Sequence, residues 1–159
     1  MKAHKTNAAR LLDRLKIAYD LIPYAVDESD LSAAHLAATL GEDVAAVFKT
    51  LVLKGDKTGH FVCVVPGDTD VDLKKAAKVS GNKNAALIPM KDLIPVTGYM
   101  RGGCSPLAMK KKFTTFIHHS VTDHARVYVS AGQRGLQLFL TPADLVAAAE
   151  AVVADIVTV

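Results

Sequence analysis

The chain has 159 residues, half of them apolar and 22% charged, with two cysteines, no tryptophan and a formal net charge of +3. That length suits one domain able to bury a core unaided, and the composition excludes a disordered chain, a disulfide framework and a strongly basic nucleic-acid binder. No apolar run approaches the ~20 residues of a membrane span, because Glu150 and Asp155 interrupt even the C-terminal stretch.

The N-terminus opens with Lys2, His4, Lys5 and Arg10 and has no apolar stretch of signal-peptide length, so a soluble protein of a reducing cytoplasm is expected. Residues 7–17 set Ala8, Leu11, Leu12 and Leu15 on one stripe of a helix. Residues 19–26 read as an extended segment that Pro23 confines to a sheet edge. Ser32 is placed to cap a helix through Leu40, with Gly41 as its stop.

A turn from Val44 leads into a strand at 48–53, which a loop of residues 55–59 joins to a second strand at 60–65. A basic helix over 72–79 ends at Gly81, and a looser one begins near Met90. After a glycine-rich loop at 98–106 come three further strands, at 113–118, 126–130 and 136–140. Thr141 and Pro142 then open a final helix through Ala151. No repeat or linker divides the chain. The expectation is a single α/β domain of the α+β type over residues 1–159, with a mixed, mostly antiparallel sheet surrounded by helices.

Charge is distributed unevenly. Residues 49–112 hold twelve basic against five acidic side chains, while the segments on either side are each slightly acidic. Folded to one face, that surplus attracts anions; spread over helices and turns, it merely solvates them.

Three segments stand out chemically. Lys49 lies in the apolar strand Val47-Phe48-Lys49-Thr50-Leu51-Val52-Leu53, where it either snorkels from an exposed strand start or lines a cleft and meets an anion. In Gly98-Tyr99-Met100-Arg101-Gly102-Gly103-Cys104-Ser105-Pro106, the paired glycines allow close backbone approach, and Arg101 adds a fork suited to phosphate or carboxylate. The alternative there is a tight turn without a ligand. Ser130-Ala131-Gly132-Gln133-Arg134-Gly135 reads as a pocket wall or a hairpin turn. Lys110, Lys111 and Lys112 form a run that solvates a surface or touches an RNA backbone.

Familiar catalytic sets are missing from the sequence. Neither Cys63 nor Cys104 has a His and carboxylate at a known spacing, and Ser105 lacks a nucleophile-elbow surround. His118 and His119 are adjacent, so on a strand they point to opposite faces and do not readily share a metal. No zinc-type spacing and no nucleotide phosphate loop occurs, and neither a metal nor another cofactor is expected.

Together, Phe48-Lys49-Thr50-Leu51, the 98–106 loop and Val129-Ser130-Ala131-Gly132-Gln133-Arg134-Gly135-Leu136 resemble the YbaK/EbsC family, free-standing relatives of the editing domain of prolyl-tRNA synthetases. Tyr24 and Asp72-Leu73-Lys74-Lys75 fall where that pattern expects them, and the resemblance spans nearly the whole chain. It implies a trans-editing deacylase that clears cysteine from proline tRNA, and Cys-tRNA(Cys) as a further substrate. The implied chemistry uses no protein nucleophile, since the substrate's own thiol attacks its ester.

By the same resemblance Lys49, Gly102 and Ser130 are the catalytic positions. Lys49 would hold the phosphate or ribose region of the terminal adenosine. Tyr24, Thr50, Arg101, Gly103, Ser105, Pro106, Gly132 and Arg134 would form the substrate-binding wall. The implied partners are the tRNA acceptor end and, transiently, prolyl-tRNA synthetase. Ala108, where glycine is frequent, and Ala131-Gly132-Gln133, in place of Gly-Gly-Lys, depart from the family pattern near the site and bear on amino-acid preference. Two other functions compete: a deacylase for alanine or another small amino acid, and a tRNA- or synthetase-binding module without turnover.

Overall fold

A computed structural model describes residues 5–159; Lys2 and His4, used above to read the N-terminus, lie outside the described residues. Among the described residues eight strands form two hydrogen-bonded sheets, accompanied by five α-helices. The first helix, α1 (Asn7–Arg14), is capped by Thr6, whose hydroxyl accepts from the Ala9 N–H. It buries Ala8, Ala9 and Leu12 but ends before Leu15, which is half exposed, so the apolar stripe is one residue shorter than expected.

The three-stranded sheet runs β1 (Asp20–Pro23), β7 (Leu136–Leu140), β6 (Val127–Gln133), all antiparallel. Pro23 sits on its outer strand, where a missing N–H costs no ladder bond. The five-stranded sheet has the order β4 (Ala85–Leu87), β2 (Phe48–Gly55), β3 (Gly59–Pro66), β5 (Thr115–His118), β8 (Val152–Ala154). Its β4–β2–β3 part is antiparallel, whereas β3–β5 and β5–β8 are parallel. The expected mixed sheet is therefore split in two, and β4 and β8, three residues each, were not foreseen.

Helices cover these sheets where the local chemistry starts and stops them. Ser32 caps α2 (Ala33–Leu40), and Asp72 caps α3 (Leu73–Ser80) by accepting from the Lys74 and Lys75 N–H groups. Gly41 and Gly81 end them in left-handed conformations. A 3₁₀ turn at Met90–Asp92 leads into the short α4 (Leu93–Thr97), and Thr141 caps α5 (Pro142–Ala149).

The main core joins both sheets. Phe48, Val52, Val62, Val64 and Ile117 of the larger meet Val127, Val129, Leu138 and Leu140 of the smaller, under α1 and α5. The opposite face of the larger sheet packs Leu53, Phe61, Cys63, Val65 and Phe116 on Ala76 of α3. Among the described residues no helix is long and apolar enough to cross a membrane.

Candidate active site

The two sheets are bridged just before β2 and then diverge. Val47 bridges to Tyr128 of β6, while β4 takes up pairing with β2 only from Leu53. Between these points no strand covers the outer edge of β2. Val62 N donates to Thr114 O on the β5 side, and Val52 O accepts from Ile88 N on the β4 side. By the alternation of backbone direction along an antiparallel strand, Thr50 therefore turns its N–H and C=O into the gap.

A cleft of about 460 Å³ opens at this fork. Because it wraps a bare strand edge, it is lined from both faces of β2: Lys49 and Leu51 from one, Phe48, Thr50 and Val52 from the other. Leu31 and Ala34 stand at one side, Leu87 and Met90 at another, and Arg101, Gly102 and Cys104 close it. Ser130 and Gln137, paired across β6 and β7, form the floor. Gly67 leaves room for the start of α2, since a Cβ there would lie 2.4 Å from the Ala33 Cβ.

The lining carries two charges, Lys49 and Arg101, and no carboxylate. Lys49 is half-buried and lines the cleft, and among the described residues neither cation makes an ion pair. An apolar, anion-attracting cavity of this kind suits a ligand with a phosphate or an ester at one end. Two polar atoms in the same wall, Thr50 Oγ1 and Gln137 Oε1, are buried without a hydrogen-bond partner. Buried polar groups are normally satisfied, so two orphaned ones on residues of one wall single out this part of the cleft.

The glycines of the two sequence loops act chiefly on one another. A Cβ on Gly103 would sit 3.0 Å from the Gln133 Cα, and one on Gly132 (φ +104°) would sit 2.9 Å from the Tyr99 ring. Tyr99 is itself fixed, its hydroxyl donating to Leu107 O at 2.7 Å. Arg134 Nε donates to Arg101 O at 2.8 Å, closing the same joint. The register of β6 slips between Ser130 and Gln133, a bulge that sets Ser130 over the cleft.

Of the expected site residues, Lys49, Thr50, Arg101, Gly102 and Ser130 line the cleft together. Gly103, Gly132 and Arg134 do not line it and instead hold the two loops against each other. Ser105 is fully buried within its own loop, accepting from the Leu107 N–H, and Pro106 lines a separate cavity. Tyr24 lies away from the cleft, its N–H donating to Gly135 O at 2.9 Å. The lining residues not anticipated include the apolar walls and three others: Gly67, signalled by the Pro66-Gly67 pair, Gln137, a polar break in the apolar Leu136-Gln137-Leu138, and Cys104.

Cys104 is the one thiol in the cleft wall. Burial pushes it up to about 11, with Thr97 pulling slightly the other way, so little thiolate exists at neutral pH. Cys63, in the second core, is pushed up to about 12 by burial.

The expectation that His118 and His119 point apart is corrected. Strand β5 ends at His118 and a 3₁₀ turn starts at His119, so strand alternation no longer applies, and their rings stand 4.2 Å apart. With Asp155 they bring three ligand-type atoms within 4.8 Å. Lys75 Nζ already holds both Asp155 oxygens at 3.1 and 3.2 Å, so the carboxylate is engaged by an ammonium.

Residues 27–148 match the aminoacyl-tRNA editing domain. The chain is 44% identical to EbsC of Enterococcus faecalis, named as a candidate Cys-tRNA(Pro)/Cys-tRNA(Cys) deacylase, over 97% of this chain and 94% of that protein. Among solved structures, the hypothetical protein APE2540 superposes with a TM-score of 0.85 at 25% identity, covering 94% of this chain and 97% of that one. A protein described as a candidate trans-editing enzyme for prolyl-tRNA synthetase superposes with a TM-score of 0.83 at 22% identity, covering 98% and 100%.

Proposed function

Since the chain belongs to the aminoacyl-tRNA editing domain family, we propose that it is a free-standing deacylase releasing cysteine from mischarged proline tRNA, with Cys-tRNA(Cys) as a second substrate. The observation that carries this reading is the cleft itself: among the described residues, two cations without an ion pair and two orphaned polar atoms around an apolar cavity, without a nucleophile and base in contact.

In such a cleft the protein acts by positioning and charge. Lys49 and Arg101 hold the phosphate and ribose end of the terminal nucleotide. The amino acid enters between Leu31, Ala34 and Met90, and the Thr50 N–H in the strand gap donates to the developing oxyanion. The substrate's thiol sulfur attacks its own ester carbonyl carbon. A C–S bond forms, the C–O bond to the ribose breaks, and the thiol proton passes to the departing ribose oxygen, leaving a thiolactone and uncharged tRNA. The raised Cys104 thiol accords with a reaction that needs no protein nucleophile.

A chain of this size has surface for an acceptor end and little for distant parts of a tRNA. Transient association with prolyl-tRNA synthetase would supply that selection by raising effective concentration.

A panel of tRNAs charged with cysteine, alanine or serine, given to wild type and Lys49→Ala, tests the assignment. Cysteine should be released fastest, and the variant should lose at least about tenfold in kcat/KM, the worth of a charge-assisted contact. Faster release of alanine would replace the cysteine assignment, and release of none would leave a binding module. Unchanged turnover in the variant would remove Lys49 from the mechanism.

A further inference from the structure

On the same face of the larger sheet as Thr50, a second cavity of about 460 Å³ is lined by His60, Pro95, Val96, Lys110, Lys111 and Phe113. Its wall against the cleft is α4, whose Leu93 lines the cleft and whose Pro95 and Val96 line this cavity. Thr50, Val52 and Lys54 follow one another along that face of β2, and Lys54 is paired directly with His60. At the rise of an antiparallel strand, Thr50 and Lys54 are about 13 Å apart. Val52 between them is buried in the main core, so the two cavities are separate openings on either side of α4, close enough for successive nucleotides of one strand.

The His60 and Phe113 rings meet edge to face, centroids 5.9 Å apart at 77°. Phe113 is anchored by packing against the main core, so the pair is a fixed aromatic surface. Lys110 and Lys111 are exposed beside it and make no ion pair among the described residues, whereas Lys112 is held by Glu150. Flat rings flanked by unpaired cations are how proteins hold unpaired RNA: bases stack on the rings and phosphates sit on the cations. An acidic peptide would use the lysines and leave the rings without a planar partner.

We propose that His60, Phe113, Lys110 and Lys111 form a binding site for the unpaired nucleotides that precede the terminal nucleoside of an RNA 3′ end. The proposal rests on the deacylase reading for its direction, since the cleft takes the last nucleoside and this surface takes those before it.

The test is binding of two uncharged RNAs, a stem–loop with an unpaired CCA 3′ end and the same stem–loop cut blunt, to wild type, His60→Ala and Lys110→Glu/Lys111→Glu. Wild type should bind the overhang RNA at least tenfold more tightly. His60→Ala should remove about tenfold of that through lost stacking. The double variant should also lose tenfold or more, and its salt dependence should flatten by about 1.4 in log–log slope, the share of two single-strand phosphate contacts. Equal affinity of wild type for the two RNAs, or variants that bind the overhang as wild type does, overturns the site. Because no ester is present, an inactive enzyme would not mimic that result: the overhang preference and its loss in the variants would still establish the site while the deacylase reading fell. On the enzyme side, the double variant should lose turnover of Cys-tRNA but keep that of a cysteinyl ester of adenosine. An equal loss on both substrates would mean the substitutions damaged the cleft, and would overturn the site.

Discussion

Gln137 is only 2% exposed and lies in an otherwise apolar strand, yet its Oε1 has no partner. Such a group costs stability unless a bound ligand shifts the wall enough to meet it. Gln137→Met keeps the length and flexibility of the side chain and removes the orphan. Its denaturation midpoint should stay level or rise, while kcat/KM on Cys-tRNA falls by about tenfold, the worth of one good hydrogen bond to a bound ligand. Chemical denaturation and steady-state kinetics on one preparation measure both. Lost stability with unchanged kinetics would show that the amide supports the fold alone. Lys49 and Arg101 differ in kind: they are charged and reach solvent, so their cost when unliganded is small.

At the scale of elements, the β2–β3 hairpin shows how a turn is held by a residue far along the chain. Asn82, nearly buried after α3, accepts from the Lys57 and Thr58 N–H groups at 2.8 and 2.9 Å and donates to Thr58 Oγ1 and Ser80 Oγ. Gly55 makes space for it, since a Cβ there would lie 2.2 Å from the Asn82 amide. Asn82→Ala should cost about 2 kcal/mol, with part of the loss softened by water reaching the exposed turn, and lower Tm by about 4–8 °C. A shift below one degree would mean the turn stands without it. Capped helices such as α2 and α3 and the long hairpin strands were legible because their signals are local: Ser32 with Gly41, Asp72 with Gly81, and apolar runs broken by a turn. Strands β4 and β8 were not, because three residues carry no period, and each exists only through a partner far along the chain. The candidate site divides likewise. Lys49, Arg101 and Ser130 are visible as polar residues among apolar or glycine neighbours. Thr50 and Gln137 lining one cleft depends on two sheets forking at Val47, and the joint made by Gly103 and Gly132 depends on two loops meeting. No local pattern encodes either.

Across the whole molecule both sheets share one core, so they should unfold together, and pH should act on that single transition. His118 closes the far side of the larger sheet: it is buried at the end of β5, and its Nδ1 accepts from the Ile156 N–H beside β8 at 3.4 Å. Burial first, then the neighbouring His119, lowers its pKa from 6.5; Asp155 pulls upward and Lys75 downward. The folded protein thus binds this proton less readily than the unfolded chain, and stability rises with pH across the interval between the two values. The contribution is complete above about pH 6.5 and is lost as pH falls below it. Asp155 is lowered from 3.8 by its bond to Lys75, so its own loss with acid begins at lower pH. Comparing denaturation midpoints at pH 7.5 and 5.5 therefore isolates the histidine, provided His118→Gln is measured beside wild type. Wild type should lose stability over that interval and the variant distinctly less, since a side chain that does not titrate leaves no proton to be taken up on unfolding. Equal losses in both would place the acid sensitivity elsewhere and leave His118 as a neutral strut between β5 and β8.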